Sequence, residues 1–540
     1  MISPSIIPIT MTVASSLLAC VLASTYVGLV WFLDSSSCHQ QENVSKPNFI
    51  IILADDIGWG DLGANMAAKR SQTPNLDKLA SEGLRLVDFH SAASTCSPSR
   101  ASILTGRLGI RNGVTHNFAT TSVGGLPINE TTLAEALKEC GYMTGLIGKW
   151  HLGHYGNFHP NRRGFEYYYG IPYSNDMGCT DCPGYNRPQC APCPQDPSTP
   201  HSPAGGCYTK LALPLMENTA ILEQPVNLTS LSARYSQQAV TFIKNARYRG
   251  QPFFLYVALA HMHVPLSPAH ESPEHGPYED SLQEMDRIVG DITACTDSNT
   301  LIWFTGDNGP WAQKCHLAGS VGPFLGKWQT TQGGSSAKQT TWEGGHRMPT
   351  VVYWPGQIPP NSTSSALLST LDIFPTLVAL AHGTLPANRR FDGKDVSEIL
   401  RGGPQDAQRI MYHPNSGAGG RLGDIEAMRW GHYKAFYTTG GALACDGSIG
   451  RPQFHDPPLL FNLNYDPQEG APLAPGSKEY EWLLPLLSQA MVDLHDDVRT
   501  DNVSTADYSQ HPSAAPCCNP ELAACRCAEP GGGGGIVRLH

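Results

Sequence analysis

Five short apolar runs along the chain break off abruptly at polar residues. Residues 48–54 (NFIIILA) stop at Asp55 and Asp56, and residues 253–260 (FFLYVALA) stop at His261, Met262 and His263. Residues 301–305 (LIWFT) give way to Gly306, Asp307, Asn308 and Gly309, and residues 142–151 (YMTGLIGKWH) close on Lys149, Trp150 and His151. Residues 350–354 stop before Pro355 and Gly356. Each run is short, rich in β-branched or aromatic residues and nearly unbroken, the pattern of strands buried on both faces. Helical patterning over 74–83, 132–140, 232–245 and 372–381 lies between or after them. An α/β fold is predicted, with a large mixed, mostly parallel β-sheet flanked by helices. Ligands of such sheets collect beyond the carboxyl ends of the strands, where these runs deliver their charged residues.

The large domain is predicted to span 47–405. Residues 406–528 read as a smaller α+β domain whose segments 433–438 and 459–463 are antiparallel strands. The tail 529–540 contains Gly531–Gly535, has nothing to bury, and is expected to be disordered. At the other end, residues 1–33 carry no charged side chain and 12–33 are mostly apolar. Residues 1–34 therefore read as a cleaved signal peptide or as a signal anchor, with cleavage favoured; both lead into the secretory pathway. Cleavage would leave no stable membrane association.

Sixteen cysteines fit an oxidising compartment. Five N-x-S/T sequons, at Asn43, Asn129, Asn227, Asn361 and Asn502, fit the same route. Cys179, Cys182, Cys190 and Cys193 have the form of a zinc ribbon, but the two pairs stand too close together, in a Pro- and Gly-rich segment. Disulfides with Cys207 or nearby partners are preferred, and Cys517, Cys518, Cys525 and Cys527 read as a second stapled cluster. A formal charge of −11 argues against a general polyanion binder at neutral pH. Protonating all 20 histidines would bring it to +9, so an acidic compartment turns the surface toward anions. No internal repeat or nucleic-acid module is present.

Candidate chemistry sits at the strand ends and in one motif. Asp55, Asp56, Asp307 and Asn308 are hard oxygen ligands suited to Ca²⁺ or Mg²⁺, although each taken singly also reads as a turn or cap residue. Residues 96–107 (CSPSRASILTGR) read C-x-P-S-R followed by x-x-L-T-G-R. Arg100 lies four residues after Cys96, on the same side of a helix that opens at the cysteine. His261 and His263, spaced by two, could ligate metal from a strand or contact substrate; the oxygen-rich set favours substrate contact. Lys338, after a Gly-Gly-Ser-Ser run, would by itself be read as solvent-exposed.

Taken together, C-x-P-S-R, the G-K-W-H-L-G segment at 148–153, H-x-H-x-P at 261–265 and K-x-T-x-x-E-G-G from Lys338 resemble the sulfatase family. The resemblance extends from about Lys46 into the terminal cysteine cluster. It implies an alkaline-phosphatase-like sulfatase fold and conversion of Cys96 to Cα-formylglycine by the formylglycine-generating enzyme. It also implies a metal, usually calcium, held by Asp55, Asp56, Asp307, Asn308 and modified Cys96. Lys149, Lys338 and His263 would bind sulfate, Arg100 would hold the hydrate and carboxylates, and His151 would take a proton from the hydrate to expel sulfate. His263 or Lys338 would protonate the departing alcohol. The implied enzyme is a sulfuric ester hydrolase of the arylsulfatase type acting on aryl sulfates or a sulfated glycosaminoglycan, namely the 3-O-sulfate of N-sulfoglucosamine in heparan sulfate. Delivery by the mannose-6-phosphate receptor to the lysosome is implied, with the endoplasmic reticulum or secretion as other locations. Two alternatives remain. A phosphatase or phosphodiesterase of the same superfamily would use serine or threonine and a histidine-rich dizinc site. A catalytically silent glycan-binding protein would lose the carboxylates, Arg100 or Lys149.

Overall fold

A computed structural model gives the fold over residues 46–67, 72–196 and 206–527. The segment 1–34, the sequon at Asn43 and the tail 529–540 lie outside the described residues. Among the described residues, ten strands form one sheet. Its centre is four parallel strands, in the spatial order Thr300–Gly306, Asn48–Ala54, Phe253–Ala258 and Met143–Gly148. Thr350–Tyr353 runs antiparallel beside Thr300–Gly306, and Tyr167–Gly170 continues the parallel set beyond Met143–Gly148.

The central strand shows why these runs fold as they do. Phe49, Ile51 and Leu53 pack on one face with residues of the helices Cys96–Thr105, Leu133–Glu139 and Ile373–Leu380. Ile50, Ile52 and Ala54 pack on the other with Pro74–Glu82, Leu231–Arg249 and Pro277–Ala294. A strand whose alternate residues enter two cores must be apolar throughout. Helix starts are marked locally: Thr132 and Glu135 form a reciprocal capping box, and proline opens the helices at Pro74 and Pro277.

Pairing register aligns the strand ends. Leu53 lies opposite both Ala258 and Thr305, Ala54 opposite Gly306, and Gly148 opposite Ala258. The residues that follow therefore emerge at one edge.

A four-stranded antiparallel sheet (Ile410–Pro414, Ile425–Trp430, Tyr433–Thr439, Gln453–Asn462) forms the carboxyl-terminal part. Met428, Ala435 and Leu460 face the helix Lys478–Arg499, while Ala427, Phe436 and Phe461 pack on Trp342 of the large domain. Sequence reading did not anticipate that helix, although Ser477 caps it and Leu483, Leu487, Ala490 and Leu494 have helical spacing. The cysteine pairs are not a zinc ribbon. Cys179 is bonded to Cys193, Cys190 to Cys207, Cys517 to Cys525 and Cys518 to Cys527, and Cys315 to Cys445 joins the two parts of the chain. Asn129, Asn227, Asn361 and Asn502 are exposed. Among the described residues, no helix is long and apolar enough to cross a membrane.

Candidate active site

Cys96 opens a wholly buried helix, Cys96–Thr105, and its thiol lies 3.5 Å from Asp55 Oδ1. Burial and then the Asp55 charge push that thiol up to about 12, so it is no thiolate nucleophile as it stands. One helical turn on, Arg100 donates through Nε and Nη2 to Asp307 Oδ2 at 3.0 and 2.8 Å. Its Nη1 donates to the Lys149 carbonyl at 2.9 Å, and Nη2 lies 3.2 Å from Asp55 Oδ2. Arg100 thus fixes two carboxylates and the turn that presents Lys149.

The other cations stand on the same carboxylates. Lys149 Nζ is 2.5 Å from Asp55 Oδ2, and Lys338 Nζ is 2.6 Å from Asp56 Oδ1. Lys338 is buried, which overturns the solvent-exposed reading. Burial opposes the charge on Asp55, but Lys149, His263, Arg100 and Lys338 outweigh it and hold the carboxyl well below its ordinary value. Burial and the neighbouring Asp55 charge push Asp307 the other way. Burial opposes the charge on both lysines as well, and Asp55 beside Lys149 and Asp56 beside Lys338 keep each protonated.

The histidines have assignable tautomers. His263 Nδ1 is 2.6 Å from the Val264 carbonyl, which can only accept, so Nδ1 carries the proton. Its Nε2 then faces Ser174 Oγ at 3.4 Å and Asp56 Oδ2 at 3.6 Å. His151 Nε2 donates to the Phe118 carbonyl at 3.2 Å, leaving a lone pair on Nδ1, which is buried without a partner. Burial, then Lys149 and Arg100, holds His151 well below its ordinary value, so the ring is neutral. His261 instead approaches Glu284 at 3.8 Å.

Backbone strain concentrates here. Asp56, His151, Met262 and Gln339 all have φ between 58° and 77°, a region costly for residues other than glycine. Sequence reading missed Ser174 and Asn175. Ser174 Oγ accepts from Lys149 Nζ at 3.2 Å, and Asn175 Nδ2 donates to the His263 carbonyl at 3.0 Å. The aromatic run 167–170 before them is the signal, because it is a further parallel strand ending at the same edge.

The donor set fits a divalent cation. One ligand atom from each of Asp55, Asp56, Cys96 and His263 lies within 4.8 Å of the others. Asn308 Nδ2 donates to Asp56 Oδ1 at 2.7 Å, and the Asp56 amide donates to Asp307 Oδ1 at 3.2 Å. Asp56 Oδ2 and Asn308 Oδ1 are buried acceptors without hydrogen-bond donors, which is the need a hard cation meets.

The chain belongs to the sulfatase family: residues 47–384 match the sulfatase family and residues 406–527 match the C-terminal region of aryl-sulfatase. The family generally works with a metal ion and a formylglycine, and the chain is a sulfuric ester hydrolase. It is 62% identical over 490 residues to arylsulfatase G of Homo sapiens, covering 89% of this chain and 93% of that protein. Identity to arylsulfatase A of Homo sapiens is 39% over 515 residues, covering 90% and 96%. Of solved structures, the PsFucS1 sulfatase from Pseudoalteromonas sp. superposes with a TM-score of 0.70 at 29% identity, covering 85% of this chain and 92% of that one.

Proposed function

We propose that this sulfatase is a lysosomal glycoprotein that removes the 3-O-sulfate of N-sulfoglucosamine at non-reducing ends of heparan sulfate. The carrying observation is that Lys149, Lys338, His263 and Ser174 gather around Asp55 and Asp56, the carboxylates beside the buried Cys96. In this reading Cys96 Sγ stands in for a hydroxyl oxygen of the hydrated aldehyde. Formylglycine, made by the formylglycine-generating enzyme, supplies a geminal diol as nucleophile. Asp55, Asp56, Asp307, Asn308 and residue 96 would hold calcium, which would supply Lewis acidity to the site.

Lys149, Lys338 and Ser174 hold the sulfate oxygens as fixed donors in a site closed to bulk water. Arg100 keeps Asp55 and Asp307 in place. The departing alcohol leaves toward His263 and Lys338, the two groups that share Asp56, and takes its proton from Lys338 or from His263 when that ring carries a second proton on Nε2. His151 Nδ1 accepts a proton from residue 96 so that sulfate can leave. The secretory pathway provides the disulfides and glycans, and the mannose-6-phosphate receptor delivers the protein.

The test uses enzyme from secretory cells, given N-sulfoglucosamine bearing one O-sulfate, at position 3 or position 6, together with the sulfate and phosphate esters of one aryl alcohol. Release of the 3-O-sulfate and preference for the aryl sulfate are expected. Faster phosphate release, or intact 3-O-sulfate beside cleaved 6-O-sulfate, would overturn the assignment.

A further inference from the structure

Four lysines are buried among the described residues: Lys149, Lys314, Lys338 and Lys434. Three stand against carboxylates, Lys149 on Asp55, Lys338 on Asp56, and Lys434 on Glu343 and Glu469. Lys314 is 6% exposed, yet no described carboxylate lies within 4.0 Å of its ammonium. Two of its three donors go to neutral oxygens, Asn186 Oδ1 at 3.1 Å and the Arg187 carbonyl at 2.8 Å. A buried, unneutralised ammonium is costly, and proteins keep such charges where an anion completes them. Burial lowers the Lys314 pKa, an effect that Asp176 and then Asp56 oppose from beyond ion-pair distance and Lys338 reinforces.

Its position gives the charge a use. Lys314 Nζ lies 4.3 Å from the centroid of the Trp311 ring, and Lys338 Nζ lies 4.5 Å from that same centroid. The two ammonium groups can be no farther apart than those distances together, about the span of one sugar ring with its substituents. His263 also packs on this indole, with ring centroids 5.3 Å apart. Trp311 is half-buried and follows closely on Asp307 and Asn308, so the wall of the sulfate pocket and the second cation share one short segment. That segment is rigidly held. Cys315, at φ 59°, is tied by its disulfide to Cys445 of the carboxyl-terminal part.

We propose that Lys314, backed by Trp311, is a second anion subsite that binds a carboxylate or sulfate carried by the substrate beside the scissile sulfate ester. This rests on the reading that Lys149, Lys338 and Ser174 hold the scissile sulfate, with His263 beside the departing alcohol, but not on the identity of the sugar. The third ammonium donor and the surplus charge would go to that second anion. The preferred substrate is then dianionic, with its two anionic groups on one ring or on adjoining rings.

The test is a series of aryl sulfates bearing a carboxylate at each ring position or on a short linker, compared with the unsubstituted ester. Wild type, Lys314→Met and Lys314→Arg holoenzymes are assayed, and the readout is the ratio of kcat/KM for each carboxylated ester to that for the plain one. In wild type at least one position is expected to lower KM about tenfold, the scale of a charge-assisted hydrogen bond. Lys314→Met should abolish that preference and Lys314→Arg should keep it. A lysine that only anchors the Asn186–Arg187 turn would change all substrates by one factor, leaving the ratio intact; that result overturns the proposal. So does a wild type indifferent to the carboxylate at every position, which needs no variant at all. Failure on heparan-type saccharides would instead remove the substrate assignment and leave this ratio readable.

Discussion

At the scale of single residues, the proposed mechanism divides its work between two histidines held in opposite tautomers. Val264 pins His263 through Nδ1, and Phe118 pins His151 through Nε2, so one ring presents Nε2 and the other an open Nδ1 to the pocket. His151→Ala should therefore slow sulfate release more than sulfate transfer, seen as a pre-steady-state burst of alcohol followed by a slow phase. Loss of the burst together with the steady rate would contradict the assignment. Arg100 acts through its fork on Asp307 and its third contact to the Lys149 carbonyl. Lysine cannot reproduce these contacts, so Arg100→Lys should lower kcat/KM by about a hundredfold, the scale for removing a fixed catalytic donor. Activity within twofold of wild type would show that the fork is dispensable. Asp55, Asp56, Cys96, Lys149 and Asp307 could be read from the chain because each abuts a strand end or the cysteine motif. Ser174 was marked only by the aromatic run 167–170 before it, and Lys314 could not be read at all, because its significance comes only from neighbours that the fold brings to it.

At the scale of elements, parallel strands in common register make the site. The apolar runs betrayed them because each central strand enters two cores and, apart from Thr144 and residues at the strand ends, is apolar until its carboxyl end. The short strand Leu84–Leu86 and the helix Lys478–Arg499 escaped notice for opposite reasons. The first is too short to show a period, and the second has Pro485 inside it and a polar outer face. Gly148 shows how tightly the strand ends are packed. Its φ is 113°, and a Cβ there would lie 1.9 Å from the Ala258 carbonyl oxygen. Gly148→Ala must push apart two central strands just before Lys149, and a loss of about 3 kcal/mol or more is expected, read as a lowered denaturation midpoint. An unchanged midpoint would mean that the strand ends yield freely.

At the scale of the whole molecule, buried charge joins the two parts of the chain. Asp88, Glu343 and Glu469 meet Arg347, Arg429 and Lys434 between the large domain and the antiparallel sheet, three carboxylates against three cations. Burial opposes the charges on Asp88 and Glu343, but the cations hold both well below their ordinary values, so their contribution persists into mild acid. Glu426 works in the other direction. Burial and then Asp424 raise it from 4.5 to about 9, so the folded state carries a proton that the unfolded chain releases. Stability from this group is greatest below the unfolded value and declines as pH rises toward 9. Tm should therefore be higher at about pH 5 than at about pH 8, and Glu426→Gln should narrow that difference; an equal difference in the variant would exclude Glu426 as its source. The proposed chemistry turns on the side chain at position 96, and the most direct measurement is mass spectrometry of the peptide spanning residues 96–107, on enzyme from secretory cells sorted by specific activity. Formylglycine in proportion to activity is the expected result. Full turnover from material in which every copy keeps the Cys96 thiol would contradict the account.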